Sequence, residues 1–450
     1  MNSRKLNPVH PRPFVTALMV SALVLVASAS SGSEHHRTIH VGTVEELYAA
    51  VNNDVNRGAT IHLAPGAYVL STMDSQGPNP NVPRPNHGAL RLQPGMSLVG
   101  SEERVDANFD GVPDPISPET PDDFAVPGTE TTIDGSALDL PFEQRTDCAG
   151  EFRFFPDPVI YVGIANAIAD LSVFSGGHVA IGEPTNDPAD PDGDLSIEIT
   201  STVVDGAFMS FANSECAARH ARSVLTLSHS VVRGTGFNIA NFYTGDADND
   251  SSDGPAIRAT ISFNLFYDNN RAMRVAGGDE GTDGGSVRLR MRGNVFRNNA
   301  VNLLIQGSVE RGLAVVGNRV DVTSEFDTFG EAPAGSIILV GGVGDAQESR
   351  LDAAFLHSHF IRDSPDTPPE FSIFGAQNDD GGGSDIHAVV RITRATVTTS
   401  TGVPTEGGLS IQDETGVGSG PISARLKGSR RAFIQTNQGL PAPDAYFFEQ

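Results

Sequence analysis

Six arginines lie close together in an otherwise acidic sequence: Arg271, Arg274, Arg288, Arg290, Arg292 and Arg297. Three of them alternate with apolar residues in Val287-Arg288-Leu289-Arg290-Met291-Arg292, and in a β-strand this alternation places all three on one face. Like charges that stack on one face repel each other unless a counter-charge neutralises them. The cluster therefore predicts either ion pairs with the abundant Asp and Glu or a groove that binds an anion.

The anion-binding interpretation places a groove near Arg271 and Arg274, beside the acidic loop 244–254 and His220. Proton abstraction next to a carboxylate needs a base and a cation that offsets the developing charge. His220 or an arginine would have to be that base. Arg271, Arg274 and His220 are thus the candidate catalytic residues.

Acidic residues at alternating positions predict calcium as the cofactor. The first candidate ligand set is Asp106, Asn108, Asp110 and Asp114, with Gly111 at the sixth position, where a sharp turn lets oxygen atoms surround a hard cation. The stretch is similar to the short calcium repeats of thrombospondin type 3 modules, although Ser117 occupies the twelfth position of an EF-hand loop. The alternative is a solvated acidic turn.

Two further acidic loops are weaker candidates for calcium. One holds Asp246, Asp248, Asp250 and Asp253 but has Ser251 where a glycine is expected. The other holds Asp190, Asp192 and Asp194 in a Pro-rich stretch. All of these stretches interrupt strand patterns, which predicts surface loops.

The charge balance limits the partners of this chain. It has 56 Asp and Glu against 30 Lys and Arg, a formal net charge of -26, which argues against nucleic acid as a partner. An anionic polysaccharide would also be repelled, unless a cation bridges it or the basic residues gather on one face. The 450 residues include no Trp, so only Tyr or Phe could offer a sugar a flat aromatic ring.

The N-terminus predicts export. Arg4, Lys5 and Arg12 precede an uncharged stretch, 14–29, that ends in Ala27-Ser28-Ala29, so residues 1–29 read as a signal peptide cleaved after Ala29. The expected location is secreted or periplasmic, with no membrane insertion after cleavage. Cys148 and Cys216 could then form a disulfide in an oxidising compartment, or remain two free thiols.

Repeated sequence patterns predict the elements that position these residues. Asn264-Leu265-Phe266-Tyr267-Asp268-Asn269-Asn270 returns at Asn294-Val295-Phe296-Arg297-Asn298-Asn299, 30 residues later. Weaker copies of a small polar residue followed two positions later by Val or Phe begin at Ser172, Thr202, Ser230, Asn318 and Ser358. Strand-turn-strand units of this length bury their apolar face only by stacking on one another, which predicts a solenoid.

The repeat also suggests roles for its residues. Asn tolerates left-handed backbone angles at a sharp turn, and its amide can bond the next coil. The Phe or Val two residues later is expected to fill one core column. A capping box at Thr43-Val44-Glu45-Glu46 predicts a helix to about Asn52 that covers the first coil.

The repeats, together with Thr60-Ile61-His62-Leu63-Ala64-Pro65-Gly66-Ala67-Tyr68-Val69-Leu70, resemble the pectin-lyase-like superfamily. The resemblance implies an all-β, right-handed parallel β-helix over residues 38–435, with loops 71–89, 101–128 and 244–254 and a C-terminal cap or tail, 436–450. It also implies a polysaccharide groove along one sheet. The catalytic motifs of the pectate lyases and polygalacturonases of this superfamily are not found, so no catalytic residue is carried over.

Two hypotheses follow. The first is an exported protein that binds a polysaccharide or cell-surface glycan and acts on it as a lyase or epimerase. The second is a non-catalytic, calcium-stabilised surface or matrix adhesion protein. The environment of the arginines distinguishes them, because arginines buried in ion pairs would remove the only candidate active site.

Overall fold

The structure is a computed structural model of the chain, and its described residues form an almost entirely β architecture. The described ranges are 37–74, 82–101, 131–140, 142–146, 152–182, 194–206, 209–214, 221–234, 236–242, 254–279, 282–309, 315–344, 346–364, 366–377, 386–412, 419–438 and 445–449.

Three extended parallel sheets run through these ranges, with strands numbered along the chain. We call the first of them the long sheet. It has 13 described strands, ordered β1 (Thr38–Val41), β2 (Thr60–Leu63), β7 (Ser97–Val99), β12 (Asn166–Ala169), β15 (Ser196–Thr200), β18 (Arg222–Ser228), β21 (Ala256–Ser262), β24 (Ser286–Arg292), β27 (Arg319–Glu325), β30 (Arg350–Leu356), β33 (Ile386–Thr393), β36 (Ser419–Lys427) and β38 (Ala445–Glu449).

The second and third sheets complete each coil. The second sheet has 10 described strands, β3 (Gly66–Val69), β8 (Thr131–Asp134), β13 (Ser172–Phe174), β16 (Val203–Asp205), β19 (Val231–Arg233), β22 (Leu265–Tyr267), β25 (Val295–Arg297), β28 (Thr328–Phe329), β31 (His359–Ile361) and β34 (Thr396–Thr398). The third sheet has 8, β17 (Met209–Ser214), β20 (Gly236–Phe242), β23 (Arg271–Asp279), β26 (Val301–Val309), β29 (Ile337–Val343), β32 (Phe371–Gln377), β35 (Gly407–Gln412) and β37 (Phe433–Gln438).

Smaller elements lie outside these sheets. A three-stranded parallel sheet contains β6 (Leu90–Arg91), β11 (Pro158–Tyr161) and β14 (Val179–Gly182). Two antiparallel pairs join β4 (Met73–Asp74) to β5 (Val82–Pro83) and β9 (Phe142–Thr146) to β10 (Phe152–Pro156). Short 3-10 turns occupy Asp54–Asn56, Pro85–Gly88 and Arg430–Ala432.

The chain visits the three extended sheets in a fixed order, and from β15 to β35 each coil contributes one strand to each. β21, β22 and β23 form one coil, and β24, β25 and β26 form the next, paired in parallel with the first. This is the right-handed parallel β-helix that the repeats and the resemblance predict. Most of the apolar residues point inwards and form one large core, while Val203, Val231, Leu265 and Val295 of the second sheet form a separate small cluster.

The structure changes the phase of two predicted repeats. Asn318 precedes β27 of the long sheet, and the residue equivalent to Asn294 is Asp327, which stands 33 positions further on. Ser172 pairs with Val203 and is therefore one residue out of phase with Thr202. Asn318 fits the pattern by chance, because a strand of the long sheet begins at Arg319. Ser172 fits it one residue too late, because it is itself the first residue of β13 and pairs with Val203.

The N-terminal helix α1 (Val44–Val51) covers the first coil, as the sequence predicts. Thr43 is its N-cap and its hydroxyl accepts a bond from the Glu46 amide at 3.2 Å. The Glu46 carboxylate binds the amide of Gly42 at 2.7 Å and not that of Thr43, so the expected reciprocal bond is displaced by one residue. Leu47 and Val51 are fully buried beneath the helix.

The C-terminal part continues the solenoid beyond residue 435. β37 extends the third sheet to Gln438, and β38 pairs in parallel with β36 of the long sheet. Loop 71–89 contains the short pair β4 and β5, whereas most of 101–128 and of 244–254 lies outside the described residues.

A buried polar ladder lies at the turn between the long and second sheets. It joins Ser230, Asn264, Asn294 and Asp327, all fully buried. The backbone amide of each rung donates to the side chain of the next, with N···O distances of 2.9 Å for Ser230 to Asn264, 3.0 Å for Asn264 to Asn294 and 2.6 Å for Asn294 to Asp327. These bonds satisfy amides that the sheets leave unpaired at each turn.

The left-handed residue of this turn is the one before the ladder residue. Phe263 has φ 56°, whereas Asn264 does not have a positive φ, so the prediction that Asn supplies the left-handed angle is wrong. The reason is geometric: the turn residue points outwards, while the ladder residue must turn its amide into the core.

An aromatic column fills the core two residues after the ladder, as predicted. Phe266, Phe296, Phe329 and Phe360 are fully buried on successive coils. Their ring centroids are 4.7, 5.0 and 5.2 Å apart along the column, and the rings are stacked. The ladder and this column therefore hold neighbouring coils in the same register.

Asp327 is the one carboxylate among the described rungs of this ladder. Burial raises its pKa to about 7, against bonds from Ser324 and Asn294 that lower it. Between pH 3.8 and about pH 7, Asp327 in the folded state therefore retains a proton that it has released in the unfolded chain. This contribution to stability is fully present below the ordinary pKa of Asp and is lost as the pH rises towards 7.

We predict that Asp327→Asn stabilises the fold at pH 8 by roughly 1–3 kcal/mol, the range for a buried polar group that gains its partners. The new amide nitrogen would replace Oδ2, which accepts a 2.6 Å bond from the Ser324 hydroxyl, and that hydroxyl could accept from it in turn. Urea unfolding between pH 4 and pH 8 measures the effect, with the exposed Asp366→Asn as the control. A gain that is equally large at pH 4 would contradict the assignment.

Candidate functional site

Arg274, the central candidate from the sequence, is buried on the outer side of the third sheet. Its side chain is 9 % exposed and its Nη2 lies 2.6 Å from Oδ2 of the fully buried Asp279. Nε donates to Oε1 of Gln306 at 2.8 Å, and Nη1 donates to Oδ1 of Asn238 at 3.2 Å. Each of its three nitrogen atoms therefore has a protein acceptor.

This network limits the chemistry of the predicted catalytic set. The charge of Arg274 is neutralised by Asp279, so its geometry does not support a guanidinium that is available to an incoming anion. Arg271, at the start of β23, is exposed. His220 lies outside the described residues, so whether it approaches Arg274 stays a prediction.

Arg288, Arg290 and Arg292 form a different environment on β24. All three are exposed, while Val287, Leu289 and Met291 between them are buried, so the predicted alternation is confirmed. Their guanidinium groups point outwards from the long sheet. We call these three residues the arginine row.

Strand register extends the arginine row into a larger basic face. The outward side chains of β21, β24, β27, β30, β33 and β36 include nine basic residues and three acidic ones: Arg258, Arg288, Arg290, Arg292, Arg319, Arg350, Arg391, Arg425 and Lys427, against Asp321, Glu325 and Asp352. We call this surface the basic face. It carries a positive excess on a chain whose formal net charge is -26.

Ion pairs divide the basic face into two parts. Arg319 binds Asp321 at 2.8 Å, Arg350 binds Asp352 at 2.7 Å, and Arg391 lies 3.6 Å from the second oxygen of Asp352. Within the described ranges, no carboxylate forms an ion pair with Arg288, Arg290 or Arg292. The arginine row thus holds positive charge that no ion pair with a described carboxylate neutralises.

The environment of the arginine row favours ligands that carry several negative charges. Arg258 and Arg288 are directly opposite each other on neighbouring strands, where like charges destabilise a sheet. Arg292 also lies over the ring of Phe326, with 5.9 Å from its guanidinium carbon to the ring centroid. A chain of anions along the solenoid axis would relieve the repulsion at several rungs at once.

Most calcium candidates cannot be placed. Asp106, Asn108, Asp110, Asp114, Asp246, Asp248, Asp250, Asp253, Asp190 and Asp192 all lie outside the described residues, as do Cys148 and Cys216. Asp194 is described, and its Oδ1 accepts a 2.6 Å bond from the Arg222 amide. Among the described side chains no three His, Asp or Glu residues come together as a metal site, and calcium stays a prediction.

Sequence reasoning missed the basic residues that join the arginine row across strands. Arg319, Arg350 and Arg391 are 31 and 41 positions apart, because loops of different length separate their strands. Their common face becomes visible only when the register is known. The alternations Arg319-Val320-Asp321-Val322 and Arg350-Leu351-Asp352-Ala353 are the local signals of this face.

Comparisons with known proteins yield no family model and no curated protein that matches this chain. Solved structures with a similar fold include the A-module of the Azotobacter vinelandii mannuronan C-5 epimerase AlgE4, at 13% identity and a TM-score of 0.36, covering 91% of this chain and 97% of that one. Another is PfbA, a surface adhesin of Streptococcus pneumoniae, at 11% identity and a TM-score of 0.32, covering 90% and 85%.

These likenesses are too distant to assign an activity. The proteins found are parallel β-helix proteins, and strand pairing independently establishes the same architecture for this chain. No helix within the described ranges has the length and apolar character of a membrane span.

We predict that Arg274→Met lowers the free energy of unfolding by roughly 3–5 kcal/mol, because it leaves the Asp279 carboxylate buried without its counter-charge. Adding Asp279→Asn should recover part of this loss. Urea unfolding of both variants measures the difference, and Arg271→Met is the exposed control. A variant Arg274→Met as stable as the wild type would show that the pair does not hold the sheet.

Proposed function

We propose that this chain binds an anionic polysaccharide on the basic face of its long sheet. The observation that carries the proposal is the arginine row: three exposed arginines without an ion-pair partner in the described part of an acidic protein. A sheet with a regular spacing between coils suits a polymer, since basic side chains recur on six successive strands, β21, β24, β27, β30, β33 and β36.

Binding is favoured over cleavage or epimerisation because of the state of the predicted catalytic arginine. Arg274 is paired with Asp279 and bonded to Gln306 and Asn238. The proposal is therefore an exported glycan-binding protein, at the cell surface or in the periplasm. A lyase or epimerase activity would need a base beside an available cation, and His220, the base that the sequence offers, lies outside the described residues.

Electrostatics gives this binding a clear signature. The net charge of -26 repels a polyanion at long range, whereas the basic face attracts it locally. The Debye length is about 8–10 Å at physiological salt, so the long-range repulsion is screened there while contacts within the basic face still act. Binding should therefore be strongest near physiological salt and should weaken as the salt concentration rises further. Neutral polysaccharides should bind weakly at any salt concentration.

We predict that Arg288→Gln/Arg290→Gln weakens binding to polygalacturonate about tenfold, from two exposed charge contacts of up to 1 kcal/mol each. Arg319→Gln/Arg350→Gln is the matched control, since it removes the same charge from the same face but from residues already paired with Asp321 and Asp352. Biolayer interferometry on the purified chains measures both affinities.

Equal losses for the two double variants would reduce the effect to overall charge and contradict a role for the arginine row. No binding of the wild type to polygalacturonate, alginate or a sulfated glycan at physiological salt would reject the proposed function. Thermal melting of each variant checks that the fold is retained.

A further inference from the structure

One carboxylate lies among three arginines in the middle of the basic face. Oδ2 of Asp352 lies 2.7 Å from Nε of Arg350 and 3.9 Å from Nη2 of Arg319, and Oδ1 lies 3.6 Å from Nη2 of Arg391. The three arginines belong to the successive strands β27, β30 and β33. A single negative charge is therefore shared by positive charges from three coils.

Burial separates this carboxylate from the arginines around it. The side chain of Asp352 is 10% exposed, whereas those of Arg319, Arg350 and Arg391 are 46%, 55% and 50% exposed. Within the described ranges, Arg391 has no hydrogen bond and only its ion pair with Asp352. The guanidinium groups can thus be reached from solvent, but a carboxylate of the chain itself already lies among them.

A second carboxylate lies beside the first. Strand register places Asp321 of β27 directly opposite Asp352, and like charges in this position destabilise a sheet. Arg319 binds Asp321 at 2.8 Å and so offsets part of this repulsion. We call Asp321 and Asp352 the acidic island.

The acidic island interrupts the positive charge along the solenoid axis. Arg258, Arg288, Asp321 and Asp352 are in register on four successive strands, so two arginines are followed by two aspartates. Because coils recur about 4.8 Å apart, an anion bound at Arg288 has like charge one coil away. The basic face, from β21 to β36, spans five such steps, or roughly 24 Å, and the island lies near its centre.

We propose that Asp352 determines how much of the basic face an anionic polymer contacts. Its carboxylate takes the position among Arg319, Arg350 and Arg391 that an anionic group of the polymer would otherwise take. The polymer therefore binds Arg258 and the arginine row, and its contact ends at the acidic island. This inference rests on the proposed function and goes beyond it by naming the residue that limits the bound length.

The test removes the charge of Asp352 and keeps its shape. In Asp352→Asn the side-chain oxygen can still accept the bond from Nε of Arg350, so the fold should be retained. Asp366→Asn is the matched control, since it removes the same charge from an exposed residue between β31 of the second sheet and β32 of the third. Biolayer interferometry at physiological salt measures the affinity for polygalacturonate, phenylglyoxal modification read by mass spectrometry locates the contact, and thermal melting verifies folding.

We expect Asp352→Asn to bind polygalacturonate about fivefold more tightly than the wild type, which corresponds to about 1 kcal/mol. The polymer should also protect Arg350 and Arg391 of this variant from phenylglyoxal, because both are then open to its carboxylates. Asp366→Asn should show neither change. An affinity gain no larger than that of Asp366→Asn, or no new protection of Arg350 and Arg391, would overturn the inference and leave the proposed function standing.

The wild type gives a second reading that does not depend on the folding of Asp352→Asn. Its complex with the polymer should protect Arg290 more strongly than Arg350 and Arg391. Equal protection of all three would show that the polymer passes the acidic island, which overturns the inference while binding on the basic face is retained. No binding of the wild type to polygalacturonate, alginate or a sulfated glycan would instead reject the proposed function, and this inference with it.

Discussion

The buried polar ladder at the turn between the long and second sheets is the constraint on which the rest of this structure depends. A solenoid has no pair of distant elements to lock its coils together, so each coil must be held in register by its neighbours. The amides of Asn264 and Asn294, each bonded to the next rung, fix that register at the point where the chain changes sheet. The stacked rings of Phe266, Phe296 and Phe329 reinforce it inside the core.

The functional surface follows from this register. Because side chains on adjacent coils are aligned, Arg258 lies opposite Arg288, and Arg292 lies opposite Glu325. The same turn that buries Asn264 and Asn294 inwards directs the residue before each of them outwards. The ladder therefore determines where the basic face lies.

Much of the fold could be predicted from the sequence, because the Asn264 and Asn294 repeats state the period and the alternation of Val287 to Arg292 states the face. The phase of the weaker copies could not be predicted. Asn318 fits the pattern by chance, and at the true ladder position Asp327 has a carboxylate where Asn264 and Asn294 have a side-chain amide of similar shape. The site was harder to predict. The sequence shows that Arg274 is charged, but Asp279, Gln306 and Asn238 become its partners only through strand pairing.

Arginine-specific chemical modification, read by mass spectrometry, tests whether the arginine row is where an anionic polymer binds. The purified chain would be treated with phenylglyoxal with and without polygalacturonate. The account predicts that the polymer protects Arg288, Arg290 and Arg292, while Arg319 and Arg350 change less. Protection confined to arginines elsewhere on the chain, or no protection at a polymer concentration that saturates binding, would contradict it.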